Sequence, residues 1–292
     1  MGAADIVPGV SGGTIAFITG IYEELIETLS SVDLSLFKVW QKDGFAAMWK
    51  KLNGNFLVAL FLGIFISLLS LSRAIEYLLA NHPHLLWAFF FGLVAASIIY
   101  VGKQIEKWNI KAIVALIVGG GVAFYITMLP PLGTASEAWY ILVCGAIAIC
   151  AMILPGISGS FILLLLGAYP TVIGALTELD FKILGLFAAG CLIGLITFSR
   201  ILNWMFKYVR DVTIAVLTGF LIGSLNKLWP WKKNLEALHT HSDGRVDYLQ
   251  TNVLPSTFES LPEGGDPQMA FTIGLAIVGF ALIFIMERVA SK

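Results

Sequence analysis

The sequence predicts an all-α polytopic membrane protein that is built as an inverted-topology repeat. First, the 292 residues are 58% hydrophobic and only 13% charged, whereas a soluble domain is about one quarter charged. Second, several apolar runs approach the roughly 20 residues that a membrane-spanning helix needs. Third, one motif of proline, glycine and serine occurs twice within apolar sequence. Each half is expected to hold one motif in a re-entrant hairpin, followed by three transmembrane helices.

The repeated motif is the most informative part of the chain. The first motif is Ile6-Val7-Pro8-Gly9-Val10-Ser11-Gly12-Gly13, and the second, 147 residues later, is Ile153-Leu154-Pro155-Gly156-Ile157-Ser158-Gly159-Ser160. Proline donates no backbone hydrogen bond and glycine tolerates unusual backbone angles, so the motif interrupts a helix. In a bilayer such a break is stable only where protein covers it or where it lines a polar cavity. One break in each half therefore indicates the binding site of a transporter.

The first half comprises residues 1–137. An apolar helix is expected from residue 11 to about residue 29, followed by an interfacial helix at about 31–55. This second stretch alternates aromatic side chains with lysines, and its two tryptophans favour the membrane interface over a solvated loop. Its lysines are Lys38, Lys42, Lys50 and Lys51. Three spanning helices are then predicted at about residues 56–79, 85–101 and 112–129.

The second half comprises residues 138–292 and begins with an apolar leader helix at 138–154. The motif helix and three further spans are expected at about 158–176, 183–206, 212–228 and 270–286. The segment 229–268 contains four prolines and a Gly-Gly pair. It is therefore predicted to be a connector with little regular structure.

The two halves also match beyond the motif, since Gly63 and Arg73 correspond to Gly190 and Arg200 at an offset of 127. Each half has three spans, so the chain ends the first half on the side of the membrane opposite to the one where it began. The second half is therefore expected to enter the membrane from the opposite side. The first motif has only five residues before it. This indicates that the first half lost its leader helix, or that the start codon lies downstream of the usual one.

Lysine and arginine are concentrated in alternate loops and are scarce in the short loops between them. By the positive-inside rule, both termini and the interfacial helix are cytoplasmic and the connector is outside. The net charge of −1 gives no reason to expect a nucleic-acid partner. The three cysteines do not have the spacing of a metal site, and no cofactor is expected.

The start of each motif helix is the candidate substrate site. A helix start offers unpaired N–H groups and a partial positive charge, which suit an anion such as phosphate. A Pro-Gly kink that serves packing alone is the competing interpretation, and the repetition of the motif favours binding. The candidate residues are Ser11, Gly12, Gly13, Thr14, Ser158, Gly159 and Ser160.

Charged residues near the apolar spans supply further candidates. Arg73 and Arg200 lie at equivalent helix ends and are candidates for guiding a phosphate, because a guanidinium group binds it bidentately and stays charged. The alternative is that both only anchor helices at the interface. Asp5, Glu23 and Glu24 are candidates for binding a coupling proton or sodium ion, although solvation of a helix end is the commoner explanation for the two glutamates.

The stretch from Ala4 to Thr14, with Gly20-Ile21-Tyr22-Glu23, resembles the opening of a bacterial membrane family that was long a domain of unknown function. Its members are now called PopT-type transporters and are associated with polyprenyl-phosphate translocation. The resemblance continues through the second motif and Leu228-Trp229-Pro230-Trp231-Lys232, and it covers nearly the whole chain. It implies the return of undecaprenyl phosphate, which carries peptidoglycan precursors outward, to the inner leaflet of the cytoplasmic membrane. The chain departs from the family in the short stretch before its first motif.

Three other functions stay open. Undecaprenyl-diphosphate phosphatases resemble this chain in having an inverted repeat and a Pro-Gly-x-Ser motif. Their motif, however, carries an arginine beside the serine, where this chain has Gly12 and Gly159. Phosphoanhydride cleavage without such a cation, or an acid and a metal, lacks charge stabilisation, so a transporter is expected and not an enzyme. A transporter of a small anion is the second alternative. A scaffold protein is the third, and the repeated motif argues against it.

Overall fold

The computed structural model of the protein is mostly helical and describes residues 1–5, 11–33, 35–133, 137–240, 246–262 and 264–290. Most of the first motif, residues 6–10, therefore lies outside the described part of the chain. The helices of the first half are α1 (Gly2–Asp5), α2 (Gly12–Ile18), α3 (Tyr22–Ser30), α4 (Ser35–Lys51), α5 (Gly54–Asn81), α6 (Pro83–Gly102) and α7 (Ile110–Met128). The second half contains α8 (Ala138–Ile153), α9 (Gly159–Leu165), α10 (Tyr169–Glu178), α11 (Phe181–Tyr208), α12 (Arg210–Ser224), β1 (Lys232–Thr240), β2 (Val246–Asn252), α13 (Pro255–Glu259) and α14 (Met269–Ala290).

Within the described ranges, α5, α6, α7 and α11 are long and apolar enough to cross a membrane. Two shorter apolar helices, α8 and α14, add to them, and α9 and α10 form one apolar pair that is bent by 108°. The prediction of a polytopic all-α membrane protein is thereby confirmed. The span predicted at 212–228 forms α12, which has only 15 residues. Most of its side chains are buried, because α12 packs inside the protein against α7 and α6.

The connector contains more regular structure than the sequence predicts. β1 and β2 pair as an antiparallel hairpin, and α13 follows it. The prediction of little regular structure is wrong, because the prolines stand at or near the ends of elements and do not interrupt them. Pro230 precedes β1, and Pro255 opens α13, where a helix needs no backbone donor. Two indole groups fasten the connector: Trp229 Nε1 donates to the Val253 carbonyl at 2.9 Å, and Trp231 Nε1 to the Pro267 carbonyl at 3.1 Å.

Close helix pairs build the interior. α12 packs on α7 and α14 packs on α6, so each pair joins one helix from each half, while α11 packs on α8. Glycines lie at these crossings: Gly190 of α11 faces the Leu142 backbone, and Gly279 of α14 faces the Phe89 backbone, with no room for a side chain. Small residues let helix backbones approach in a membrane, where dispersion contacts and not hydrophobic burial hold helices together.

The helix bounds repeat with the offsets seen in the sequence. Both ends of α2 and α9 differ by 147, and both ends of α5 and α11 differ by 127. The halves differ in three places: α4 occurs only in the first half, the hairpin only in the second, and α1 has four residues where α8 has 16. α4 coincides with the predicted interfacial segment and breaks at Gly44, which has a φ of 83°.

Candidate functional site

The two motifs contact each other directly. The Gly156 N–H donates to Thr14 Oγ1 at 2.9 Å. Ser11 Oγ lies 3.1 Å from two carbonyl oxygens of the opposite motif region, those of Met152 and Leu154, and donates to them. Stretches that are more than 140 residues apart in the chain thus meet at one point.

Local chemistry explains why these residues fold in this way. Ser11 is the N-cap of α2, where its Oγ accepts from the Gly13 N–H at 3.0 Å. A Cβ at Gly13 would come within 2.5 Å of the Ile153 carbonyl oxygen, so glycine is required for the two motifs to touch. Gly156 has a φ of +88°, which other residues rarely adopt. Ser11, Thr14 and Ser158 are all buried.

A cavity of about 300 Å³ lies where the motifs meet. One side is polar and contains Asp5, Ser11, Ser158 and Ser160, with the Ser158 and Ser160 hydroxyl oxygens 2.8 Å apart. The other side is apolar and is formed by α8, α9 and α11. Its lining residues are Ala148, Ile149, Met152, Leu163, Phe187 and Cys191. We call this the motif cavity, and its two-sided lining suits an amphiphile.

Asp5 is the charged residue in the lining of the motif cavity. Its Oδ1 accepts from the Gly12 N–H at 2.7 Å, so a carboxylate occupies the first free donor of α2. The other two acids proposed from the sequence lie elsewhere. Glu23 pairs with Arg210 at 2.9 Å, with both side chains about half exposed, and Glu24 accepts from Asn53 Nδ2 at 2.8 Å.

The two predicted arginines are exposed and do not line the motif cavity. Arg200 donates from Nη2 to the Val32 carbonyl at 3.1 Å and so fastens the end of α3 to α11. Two residues that the sequence did not suggest, Phe187 and Cys191, do line the cavity. They sit on an apolar helix whose outward and inward faces look alike in the sequence, and no local signal distinguishes them.

Within the described ranges, no group of three or more histidine, cysteine or acidic side chains is placed to hold a metal ion. The three cysteines, Cys144, Cys150 and Cys191, are free thiols. The polar side of the motif cavity therefore offers hydroxyl groups, backbone N–H groups and one carboxylate as the means of contacting a ligand.

A multi-pass helical protein with a small amphipathic cavity where two copies of a repeated motif meet has the arrangement expected of a membrane transporter. The chain belongs to the VCA0040-like family, described as undecaprenyl phosphate translocase-like, which it matches over residues 1–246.

Two curated relatives are similar over most of their length. The polyprenyl-phosphate transporter of Vibrio cholerae serotype O1 (strain ATCC 39315 / El Tor Inaba N16961) is 47% identical over 292 residues, which cover 100% of this chain and 94% of the relative. The polyprenyl-phosphate transporter of Staphylococcus aureus (strain NCTC 8325 / PS 47) is 33% identical over 250 residues, 79% of this chain and 83% of the relative. No solved structure matches the chain.

Proposed function

We propose that this protein translocates undecaprenyl phosphate across the bacterial cytoplasmic membrane and binds its phosphate group in the motif cavity. The main support for the proposal is that the two motifs meet at one amphipathic cavity. The chain also belongs to a family described as undecaprenyl phosphate translocase-like. Both relatives are named as polyprenyl-phosphate transporters, which favours a transporter over the phosphatase and over a carrier of small anions.

The phosphate group is held by hydroxyl and backbone donors. The hydroxyl groups of Ser11, Ser158 and Ser160 line the polar side, and the start of α9 adds N–H groups with a partial positive charge. The Gly12 N–H at the start of α2 becomes a further donor when Asp5 releases it. The isoprene units next to the phosphate lie along the apolar wall beside Phe187 and Leu163. The cost of taking a phosphate into hydrocarbon is offset by these donors, while the rest of the chain remains in lipid.

The two halves form an inverted-topology repeat whose motif hairpins are re-entrant. The equal offsets of α2 and α9 and of α5 and α11 support this arrangement, as does the packing of α12 on α7 and of α14 on α6. Rocking of one half against the other opens the motif cavity to each leaflet in turn. Both termini and α4 are then cytoplasmic, and the connector is outside.

Asp5 is the coupling residue in this mechanism. Its carboxylate already accepts from the Gly12 N–H, a donor that a phosphate would use. Protonation of Asp5 weakens this bond and removes a negative charge that repels the lipid headgroup. Arg73 and Arg200, which are exposed at helix positions outside the cavity, attract the headgroup toward the protein from the two sides.

Transport by the purified protein in liposomes tests this function. Labelled undecaprenyl phosphate should move between leaflets faster than in empty liposomes. The double variant Ser11→Ala/Ser158→Ala should slow the movement by about fivefold or more, because each hydroxyl contributes the net value of an exchanged hydrogen bond, about 0.5–1.5 kcal/mol. Ser70→Ala is the control, since the Ser70 hydroxyl is exposed and bonds only within α5, to Ile66 and Ser67.

Other results would overturn parts of the proposal. If the labelled lipid moves between leaflets no faster than in empty liposomes, the protein is not a transporter of this lipid. If the protein instead releases inorganic phosphate from undecaprenyl diphosphate, it is a phosphatase. If Arg73→Ala and Arg200→Ala transport the lipid as fast as the wild type, the two arginines only anchor their helices at the membrane interface.

A further inference from the structure

A second and larger concavity lies at the start of α5, away from the motif cavity. It is an apolar groove of about 670 Å³ between the end of α4 and one face of α5. This volume is within the range of about 300–1,000 Å³ that is typical of small-molecule sites. We call it the α4–α5 groove. It is lined by Trp49, Leu52, Gly54, Leu57, Val58, Phe61, Leu62, Ile64, Phe65 and Leu68.

The Trp49 side chain at one end of the groove is fixed by packing and by a hydrogen bond. The indole ring lies directly against Gly54, where any side chain would overlap it, and its Nε1 donates to Asn55 Oδ1 at 2.9 Å. Asn53 has a left-handed φ of 52°, which turns the chain from α4 into α5. Its side chain also donates to Glu24 at 2.8 Å. The ring is therefore held in one place, and the groove keeps its shape at this end.

The helix that supplies the Trp49 end of the groove is basic. α4 carries one acid, Asp43, against its four lysines, two of which directly follow Trp49. These two are Lys50 and Lys51. An apolar groove that ends next to lysines is complementary to a long hydrocarbon chain with an anionic headgroup.

α1 lies between the groove and the motif cavity. Ile64 lines the groove, and Gly2 of α1 packs so closely on Ile64 that a Cβ would lie 2.6 Å from its carbonyl oxygen. At the other end of α1, Asp5 lines the motif cavity. α1 has four residues and is thus about 6 Å long. One long-chain lipid can reach from the cavity into the groove.

Among the described residues, the second half lacks the helix that forms one wall of this groove. α11 corresponds to α5, but no counterpart of α4 precedes it, since only Leu179 and Asp180 separate α11 from α10. Gly185 of α11 corresponds to Val58, and a Cβ there would meet nothing within 4 Å. The groove is therefore a feature of one side of the protein, and it breaks the symmetry of the two halves.

We propose that the α4–α5 groove binds the polyprenyl chain of the transported lipid when its headgroup is on the α4 side of the membrane. The inference rests on the proposed function and adds to it a chain-binding site on one side only. Such a site stabilises the lipid in one leaflet, and it makes affinity depend on the length of the chain.

Equilibrium binding to the full protein in nanodiscs tests the inference, with undecaprenyl phosphate and the short geranyl phosphate as ligands. Val58→Trp fills the groove and should weaken undecaprenyl phosphate binding by about tenfold, because the indole ring takes the space in which the chain packs and the dispersion contacts of the chain with α5 are lost. Geranyl phosphate, whose two isoprene units cover only a small part of a groove that runs about 21 Å along α5 from Gly54 to Leu68, should lose much less affinity. Gly185→Trp is the matched control and should change neither affinity. A diazirine placed on the undecaprenyl chain should label α5 of the wild type.

The outcomes separate the inference from the proposed function. The groove inference alone is overturned if Val58→Trp binds each lipid as tightly as the wild type does. It is also overturned if the diazirine does not label α5. Displacement of the label by phosphatidylglycerol as readily as by undecaprenyl phosphate assigns the groove to ordinary phospholipid. Cross-links between two copies through α5 assign it to self-association. Failure of the wild type to bind either phosphate overturns the proposed function and the inference together.

Discussion

Lys232 is a buried lysine in the connector, outside the membrane-spanning helices. Its Nζ donates to the Lys227 carbonyl at 2.7 Å and lies 3.5 Å from the centre of the Trp87 ring. Burial, and then the charge of Lys227, hold the pKa of Lys232 well below its ordinary value of 10.5. The unfolded chain therefore binds more protons than the folded chain. The free energy of unfolding should rise with pH between the lowered pKa and 10.5.

Thermal unfolding in detergent at several pH values measures this effect. Lys232→Met keeps the apolar stem and removes the titrating group, so it should flatten the rise of the melting temperature as the pH increases toward 10.5. Lys233→Met, at an exposed neighbour, is the control and should keep the slope of the wild type. An unchanged slope in Lys232→Met would contradict the assignment to this residue.

At the scale of one element, Gly63 of α5 and Gly190 of α11 occupy corresponding positions but different surroundings. A Cβ at Gly190 would overlap the Leu142 carbonyl oxygen of α8, whereas a Cβ at Gly63 meets nothing within 4 Å. Gly190→Ala should lower the free energy of unfolding by about 1–3 kcal/mol through overpacking. Gly63→Ala should raise it by about 0.5–1 kcal/mol through helix propensity. The two melting temperatures test this pair, and equal shifts would contradict it.

The sequence predicted the helices better than the connector. The long apolar runs and the fixed offsets located α5, α6, α7 and α11 to within a few residues. The length of an apolar run and the glycines and prolines that end it are both visible in the local sequence. The hairpin of β1 and β2 was missed, because its strands are polar and the docking of Trp231 depends on distant backbone. α12 was predicted too long, since burial inside the protein permits a short helix.

At the scale of the whole molecule, the proposed topology places the connector outside and the α6–α7 loop inside. In a background without Cys144, Cys150 and Cys191, a membrane-impermeant maleimide added to intact cells should label Leu235→Cys. It should spare Lys107→Cys until the cells are opened. Both positions are exposed in the structure, so access to the reagent and not burial decides the result. The reverse pattern would refute the proposed orientation.

The site could be predicted only in part. The repeated motif indicated two stretches that lie in contact in the structure, and their role in binding stays a prediction. The bonding between Ser11 and the backbone near Leu154 could not be foreseen, since it depends on how the halves dock. For the same reason the sequence did not indicate the wall formed by Phe187 and Cys191.

The hydrogen bonds between the motifs affect how tightly a cargo is held. Ser11 Oγ and Thr14 Oγ1 already have backbone partners, at 3.1 Å and 2.9 Å, and the Gly12 N–H has Asp5. A phosphate that takes these groups must exchange one bond for another, so its net gain is a fraction of the bonds it makes. Weak binding of the phosphate suits a carrier, because a carrier must release each lipid molecule as readily as it binds it. Turnover is thereby favoured at the expense of affinity.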